Sequence, residues 1–303
     1  VHTVLRSPSR EVVIGDDQPF CIIGERINPT GRRLFQEQLR AGDLSRLDRD
    51  VAEQAAGGAM VLDVNMGVPL ADEVDLMAKA VRRIQTLTDL PLVIDSSIIE
   101  VLEAGLEAYE GKALVNSVTA EDERMEAILP LVKRHGAAVI CLPNDEEEIP
   151  EQPERRLELT RKIVEVATGR YGIPIADLII DPLAMPVGAD TVLVRRTLDT
   201  ISLISEEFGV NMTLGASNVS FGMPDREAIG AAFLPMAMKV GLTSAILDAR
   251  APGIVRAVKA ADLLLDRDPW GASWIARHRA EQASQPEETE AGHTEPRAGV
   301  TSE

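Results

Sequence analysis

The sequence predicts an α/β chain folded as a (β/α)8 TIM barrel, and three observations predict it. Eight short apolar runs follow one another along 303 residues, each nearly continuous rather than alternating, as parallel strands covered on both faces must be. Segments with helical spacing lie between them, so strand and helix alternate without interruption. No GxGxxG turn follows the first run, which counts against an open dinucleotide-binding sheet.

The runs are FCIIGERIN (20–28), MVLDVNMG (60–67), PLVIDSS (91–97), ALVNSVT (113–119), AAVICLPN (137–144), LIIDPLA (178–184), NMTLGASNVSF (211–221) and SAILDAR (244–250). Between the first two, LSRLDRDVAEQAAGG (44–58) ends on glycines suited to a helix stop. The segment 71–88 places Val74, Met77, Ala78, Val81 and Ile84 on one face, and 190–209 and 251–266 behave likewise. Residues 1–15 read as an irregular lead-in and 16–279 as the barrel. The Glu-, Pro-, Ser- and Thr-rich stretch 280–303 reads as a disordered acidic tail.

Composition narrows the function. A formal charge of −18 and an aromatic content of 3% argue against nucleic acid, which needs a basic stripe and stacking platforms. An anionic membrane surface is disfavoured by the same charge. No apolar run reaches the ~20 residues of a membrane span. The N-terminus carries no hydrophobic signal segment. Cys21 and Cys141 lie inside apolar runs, as buried reduced thiols of a cytoplasmic protein would.

Active sites of such barrels sit at the carboxyl ends of the strands. There the chain carries Glu25, Arg26 and Asn28, then Asp63 and Asn65, Asp95, Asn116, Asn144, Asp181, Asn218, and finally Asp248 and Arg250. Helix capping accounts for them poorly, because better-placed caps follow: Ser97, Asp122, Asp190, Asp225 and, after Asp63, Asp72. A hydrogen-bond network closing the barrel mouth is a second reading, strongest for Asp63, Asn144 and Asp248. A protein-bound metal is not expected, since amides outnumber spare carboxylates and no His lies on a strand. Mixed Asp and Asn instead suit a flat heterocycle. A carboxylate accepts two N–H bonds from an amino-pyrimidinone edge, and amides serve its carbonyl and ring nitrogens.

The motifs GERIN (24–28), LDVNMG (62–67), IDSS with EAGL (94–97, 103–106), VNSV (115–118), IDPL (180–183) and SNVSFG (217–222) resemble the pterin-binding methyltransferases. These include the methyltetrahydrofolate–corrinoid protein methyltransferases and the folate module of cobalamin-dependent methionine synthase. The resemblance runs in order from about residue 20 to 275. It implies a dihydropteroate-synthase-like barrel, a homodimer, and methyl transfer between N5 of tetrahydrofolate and the cobalt of a corrinoid (cobalamin) on a separate protein or domain. It implies pterin recognition by Asp95, Asn116 and Asp181, with Asn218 as the catalytic amide facing N5. Asp63, Asn65, Glu25, Arg26 and Asn28 would form the supporting wall. Ser217 and Ser220 would orient the amide, or serve merely as turn residues. Where relatives carry Thr and Asn after the third strand's Asp-Ser, this chain has Ser97 and Ile98.

A folate tail is anionic, and so is this surface. Arg26, Arg250 and Arg32 or Arg33 near the rim can offset that, or the charge steers a partner with a basic face. Two alternatives compete. A dihydropteroate synthase needs a basic pyrophosphate site at the late strands, where no basic residue precedes Arg226 in SNVSFG. A non-catalytic folate-binding module for a corrinoid protein is the other.

Overall fold

The computed structural model describes residues 1–146 and 149–283. The barrel is there, and it has a floor. The chain opens with an antiparallel hairpin, β1 (Thr3–Arg6) and β2 (Glu11–Ile14), in place of the expected lead-in. The barrel then runs β3 (Cys21–Ile27), α1 (Arg33–Arg40), α2 (Ser45–Gly57), β4 (Val61–Asn65), α3 (Glu73–Leu87), β5 (Leu92–Asp95) and α4 (Ile99–Ala108). It continues through β6 (Leu114–Thr119), α5 (Asp122–His135), β7 (Ala138–Leu142), α6 (Pro153–Glu165) and β8 (Leu178–Ile180). The last elements are α7 (Val192–Phe208), β9 (Asn211–Met212), α8 (Arg226–Lys239), β10 (Ser244–Leu247), α9 (Pro252–Leu264) and α10 (Ala272–Ala283). Helix α10 thus occupies the first residues of the expected 280–303 tail; the rest of that tail lies outside the described residues.

The eight parallel strands pair in the order β10-β3-β4-β5-β6-β7-β8-β9. A parallel bridge between Gly215 and Ile246, with Ile246 N–H donating to Leu214 O at 2.9 Å, joins the two ends of the sheet. The seventh barrel strand is far shorter than its apolar run. Pairing stops after Met212, and a 3-10 turn over Ala216–Asn218 lifts the chain off the wall.

Strand alternation separates two apolar layers. Outward residues such as Ile22, Leu62, Ile94, Val115, Val139 and Ile180 meet the helices. Inward residues Cys21, Ile23, Val61, Val93, Leu114, Ala138, Ile140 and Ile179 fill the barrel and pack on Leu5, Val12 and Ile14 of the hairpin. The hairpin forms because its apolar residues alternate around the Ser-Pro-Ser turn, a signal easily lost in strands this short. Burying Leu5 and Ile14 completely stabilises the fold by about 1.5–3 kcal/mol each. Gly111 makes the docking possible, since a Cβ there would lie 2.1 Å from Arg6 O.

Helix starts differ in detail from the sequence reading. Asp72 does cap α3, accepting from Asp75 N–H at 3.1 Å. Ser96 rather than Ser97 serves the start of α4, accepting from Ile98 N–H at 3.1 Å. Among the described residues no helix is long and apolar enough to cross a membrane.

Candidate functional site

Alternation also dictates the site. Two residues above five of the inward apolar side chains stands a polar one facing the same way: Glu25 above Ile23, Asp63 above Val61, Asp95 above Val93, Asn116 above Leu114, Asp181 above Ile179. An apolar plug fills the barrel, and carboxylates and amides crown it.

Register then sets the neighbours. Asn65 pairs with Asp95, and Asp95 with Asn116, across β4, β5 and β6. Asn65 Nδ2 donates to Asp95 Oδ2 at 3.0 Å, while its Oδ1 accepts from Gly67 N–H at 2.8 Å, which fixes the amide's orientation. Asp63 lies deeper, buried, with Asn116 Nδ2 at 3.4 Å. Burial first, and the nearby Asp95 carboxylate second, push Asp63 well above the ordinary range. Asp95 is raised by burial too, though bonds from Asn65 and Asp63 hold it back.

Asp181, on the sixth barrel strand's end, accepts from Leu183 N–H at 2.8 Å and is pushed by burial up to about 6. Beside it lies Arg156, completely buried on α6 and donating to Pro150 O at 2.7 Å, Pro182 O at 2.8 Å and Leu183 O at 3.0 Å. Burial lowers the Arg156 guanidinium to about 10 although Asp181 opposes the shift. The sequence reading missed Arg156. Its signal was the face it shares with Thr160 and Ile163 at helical spacing.

Across the mouth, Ser217 Oγ donates to Glu25 Oε1 and Oε2 at 3.1 and 3.0 Å. Burial raises Glu25, with the Ser217 bond opposing. Asn218 follows on the exposed tip of the 3-10 turn, its carboxamide folded back over Gly215 and without a hydrogen bond to any described residue. Arg226, a second residue missed, braces this turn by donating to Ser217 O at 2.7 Å and Ser220 Oγ at 3.3 Å. Ser220 itself is buried beneath the turn.

Two expected residues lie apart from this crown. Asn28 Oδ1 accepts from Thr30 N–H at 2.9 Å, a local turn bond. Arg250 is taken up by Asp248 (Nη2 to Oδ2, 2.8 Å) and Glu53 (3.0 Å), which hold its charge firmly. Burial alone would raise Asp248, but bonds from Arg250 and from Gln54 outweigh it and bring the carboxyl down to about 2. Among the described residues no cluster of three or more His, Cys, Asp or Glu side chains is arranged to hold a metal ion.

A family model described as pterin binding enzyme matches residues 24–248. Methionine synthase from Mycobacterium tuberculosis (strain ATCC 25618 / H37Rv) is 32% identical over 275 residues, covering 84% of this chain and 23% of that protein. The chain therefore spans about a quarter of the length of that relative. Methylcorrinoid:tetrahydrofolate methyltransferase from Eubacterium limosum is 30% identical over 255 residues, covering 82% of this chain and 92% of that protein. Among solved structures, dihydropteroate synthase from Xanthomonas albilineans in complex with 7,8-dihydropteroate superposes with a TM-score of 0.67 at 20% identity, covering 86% of this chain and 98% of that one. A Yersinia pestis dihydropteroate synthase gives 0.64 at 16%, with 86% and 98% covered. At these identities the structural likeness is one of fold.

Proposed function

The chain belongs to the pterin-binding enzyme family, and from that premise we propose that it transfers a methyl group between N5 of tetrahydrofolate and the cobalt of a corrinoid carried by a partner protein. The reading covers a cytoplasmic reaction by a homodimer in one-carbon or methyl-compound metabolism. The observation that carries it is the crown itself. Asn65, Asp95 and Asn116 stand in register over a buried Asp63, Asp181 lies two strands further round, and one uncommitted carboxamide, Asn218, overhangs the mouth.

The donor set fits a pterin. Asp95 and Asp181 are oriented to accept from an amino-pyrimidinone edge, and the Asn116 amide offers a donor and an acceptor to its carbonyl and ring nitrogens. Asp63, Asn65, Glu25 and Ser220 hold that wall; Asn28 and Arg250 lie at its edge. The corrinoid supplies the metal centre that gives or takes the methyl group. Asn218 does the protein's part at N5. Its amide oxygen faces the ammonium character that N5 acquires in either direction, and it does so without changing protonation state. Glu25, Ser217 and Arg226 fix the turn on which it rides. Large apolar side chains stand exposed on loops of the same rim, Leu70 at 103%, Phe221 at 66% and Ile98 at 42%, a surface suited to a docked partner.

The test mixes the protein with tetrahydrofolate and methylcobalamin and follows the corrinoid spectrum together with 5-methyltetrahydrofolate. Formation of both products at one rate supports the reading. A condensed product from a pterin pyrophosphate and p-aminobenzoate would replace it with a synthase.

A further inference from the structure

A buried cation is a costly way to fill space, and this molecule keeps one where an aliphatic side chain would pack as well. Arg156 is completely buried on α6, and its Nη2 has no hydrogen-bond partner, so part of its desolvation goes uncompensated. Neighbouring charges do not account for it. Glu151 is paired with Arg196 at 2.5 Å, and Asp181 acts on the guanidinium through space rather than by a hydrogen bond. What the guanidinium holds is backbone. Nη1 donates to Pro182 O at 2.8 Å and to Leu183 O at 3.0 Å, while Nε donates to Pro150 O at 2.7 Å.

Two of those carbonyls belong to an unusual turn. Leu183 has a φ of +61°, in the left-handed region that is unfavourable for any residue with a β-carbon and avoided by bulky ones. The peptide plane between Pro182 and Leu183 is gripped from both sides. Its carbonyl accepts from Arg156, and its N–H donates to Asp181 Oδ1 at 2.8 Å. Turning that plane over is what would return Leu183 to negative φ, just as type II and type I turns differ by a flip of their central peptide. The flip would also carry the N–H away from Asp181. Thr197 adds little to the grip, since its Oγ1 lies 3.4 Å from Leu183 O and makes its shorter bond, 3.1 Å, to Leu193 O. Further along the loop, Val187 N–H donates to Val219 O at 2.9 Å, which pins the far end. The end next to Asp181 is left to Arg156.

Resting on the pterin reading above, we infer that Arg156 is a positioning residue for pterin binding: it clamps the Pro182–Leu183 peptide in its strained orientation, and that peptide aims the Asp181 carboxylate at the ligand. Arg156 itself touches no ligand. Its action runs through one carbonyl and one amide of the same peptide plane. Without the clamp the plane turns over, Leu183 relaxes, and the carboxylate is free to rotate away from the N–H edge it serves. This role is separable from charge and from packing, because the strain sits on Leu183, 27 positions along the chain.

The experiment compares the wild type, Arg156→Lys, Leu183→Gly and the double variant. Lysine keeps a positive charge beside Asp181 but offers one nitrogen in place of a planar fork. Glycine adopts positive φ without a clamp. Two quantities are measured: the dissociation constant of 6-methyltetrahydropterin at pH 7, and the titration of Asp181 in the free protein by carboxyl-carbon NMR. Circular dichroism checks folding. Arg156→Lys should bind the pterin about tenfold more weakly, as loss of a bond that orients a charged group predicts. Its Asp181 should titrate above the wild-type value of about 6, since the Leu183 amide now holds that carboxyl down. The double variant should bind within about threefold of Leu183→Gly alone, and its Asp181 titration should return to the wild-type position. Wild-type binding and titration in Arg156→Lys overturn the inference. A folded double variant that stays as weak as Arg156→Lys overturns it too, and leaves Arg156 a role in charge or packing alone. If neither Arg156→Lys nor the double variant folds, Arg156 belongs to the core and the inference fails likewise. If the wild type binds no pterin, the pterin reading falls by itself, while the Asp181 titrations still decide whether the clamp exists.

Discussion

Ser217 Oγ bridges both carboxylate oxygens of Glu25, at 3.1 and 3.0 Å, across 192 residues of chain. The bond ties the turn that presents Asn218 to the first barrel strand, and it offsets part of the burial that raises Glu25. In the Ser217→Ala variant the Glu25 carboxyl moves up further and the turn loses a tether. The kcat of methyl transfer should fall about tenfold, as loss of a hydrogen bond to a charged group predicts. KM for folate should change less than threefold, and the acid limb of the pH–rate profile should move to higher pH. An acid limb that stays in place would show that Glu25 is not coupled to the reaction through this contact.

Asn218→Ala separates catalysis from binding. Removal of a preorganised partner of developing charge costs about 10²–10³ in rate. The side chain is exposed, so stability should move by no more than about 0.5 kcal/mol. Single-turnover kinetics against pterin affinity checks this. Undiminished transfer with intact binding would leave the chain a non-catalytic folate module.

Asp181 gives the site opposing responses to pH. Its pKa is raised by burial from 3.8 to about 6, so between those values the folded chain holds a proton that the unfolded chain has released. Stability of the free protein therefore falls as pH rises from about 4 to 6, and the effect is complete above. A ligand edge that donates to the carboxylate needs the ionised form, so pterin affinity rises over the same window. Thermal shifts should show ligand-induced stabilisation growing from pH 5 to 7. Asp181→Asn should flatten the fall in stability of the free protein and weaken binding at pH 7. A ligand shift independent of pH in the wild type would remove Asp181 from the binding edge.

Arg156 is expected to matter for the fold before the chemistry. Arg156→Ala strands the Pro150, Pro182 and Leu183 carbonyls it now satisfies and should destabilise the protein by about 3–5 kcal/mol. Denaturant titration measures the loss. Asp181 would also lose a positive neighbour, so its titration should move above 6. Retained stability would mean that the carbonyls find other partners.

The barrel was legible because parallel strands buried on both faces leave runs of Val, Ile and Leu that survive without an alignment. Much of the crown was legible too. Polar residues at strand ends are conspicuous after such runs, and alternation decides which of them face inward. Charge partners were harder to read. Arg250 looked available until the structure brought Glu53, 197 residues away, onto it. Arg156 sits among Glu and Arg on a helix, where an arginine reads as solvent-facing, and its buried carbonyl partners come from two separate loops. The hairpin escaped because four-residue strands carry little periodic signal, and their value appears only against a barrel floor that lies elsewhere in the sequence.

That floor has a consequence for how the molecule is made. Asn211 Nδ2 donates to Thr3 Oγ1 at 2.9 Å and to Ile14 O at 2.8 Å, so the hairpin is fastened by a residue that leaves the ribosome about two hundred residues later. At ordinary elongation speeds of roughly 5–20 residues per second, the nascent hairpin waits on the order of 10–40 s for its clasp. Pulsed hydrogen exchange during refolding should find the amides of Val4 and Val13 protected after those of Val64 and Val93; earlier protection would mean the ribbon zips up unaided. The hairpin is thus a late piece to lock, a cork pushed in once the bottle has been blown.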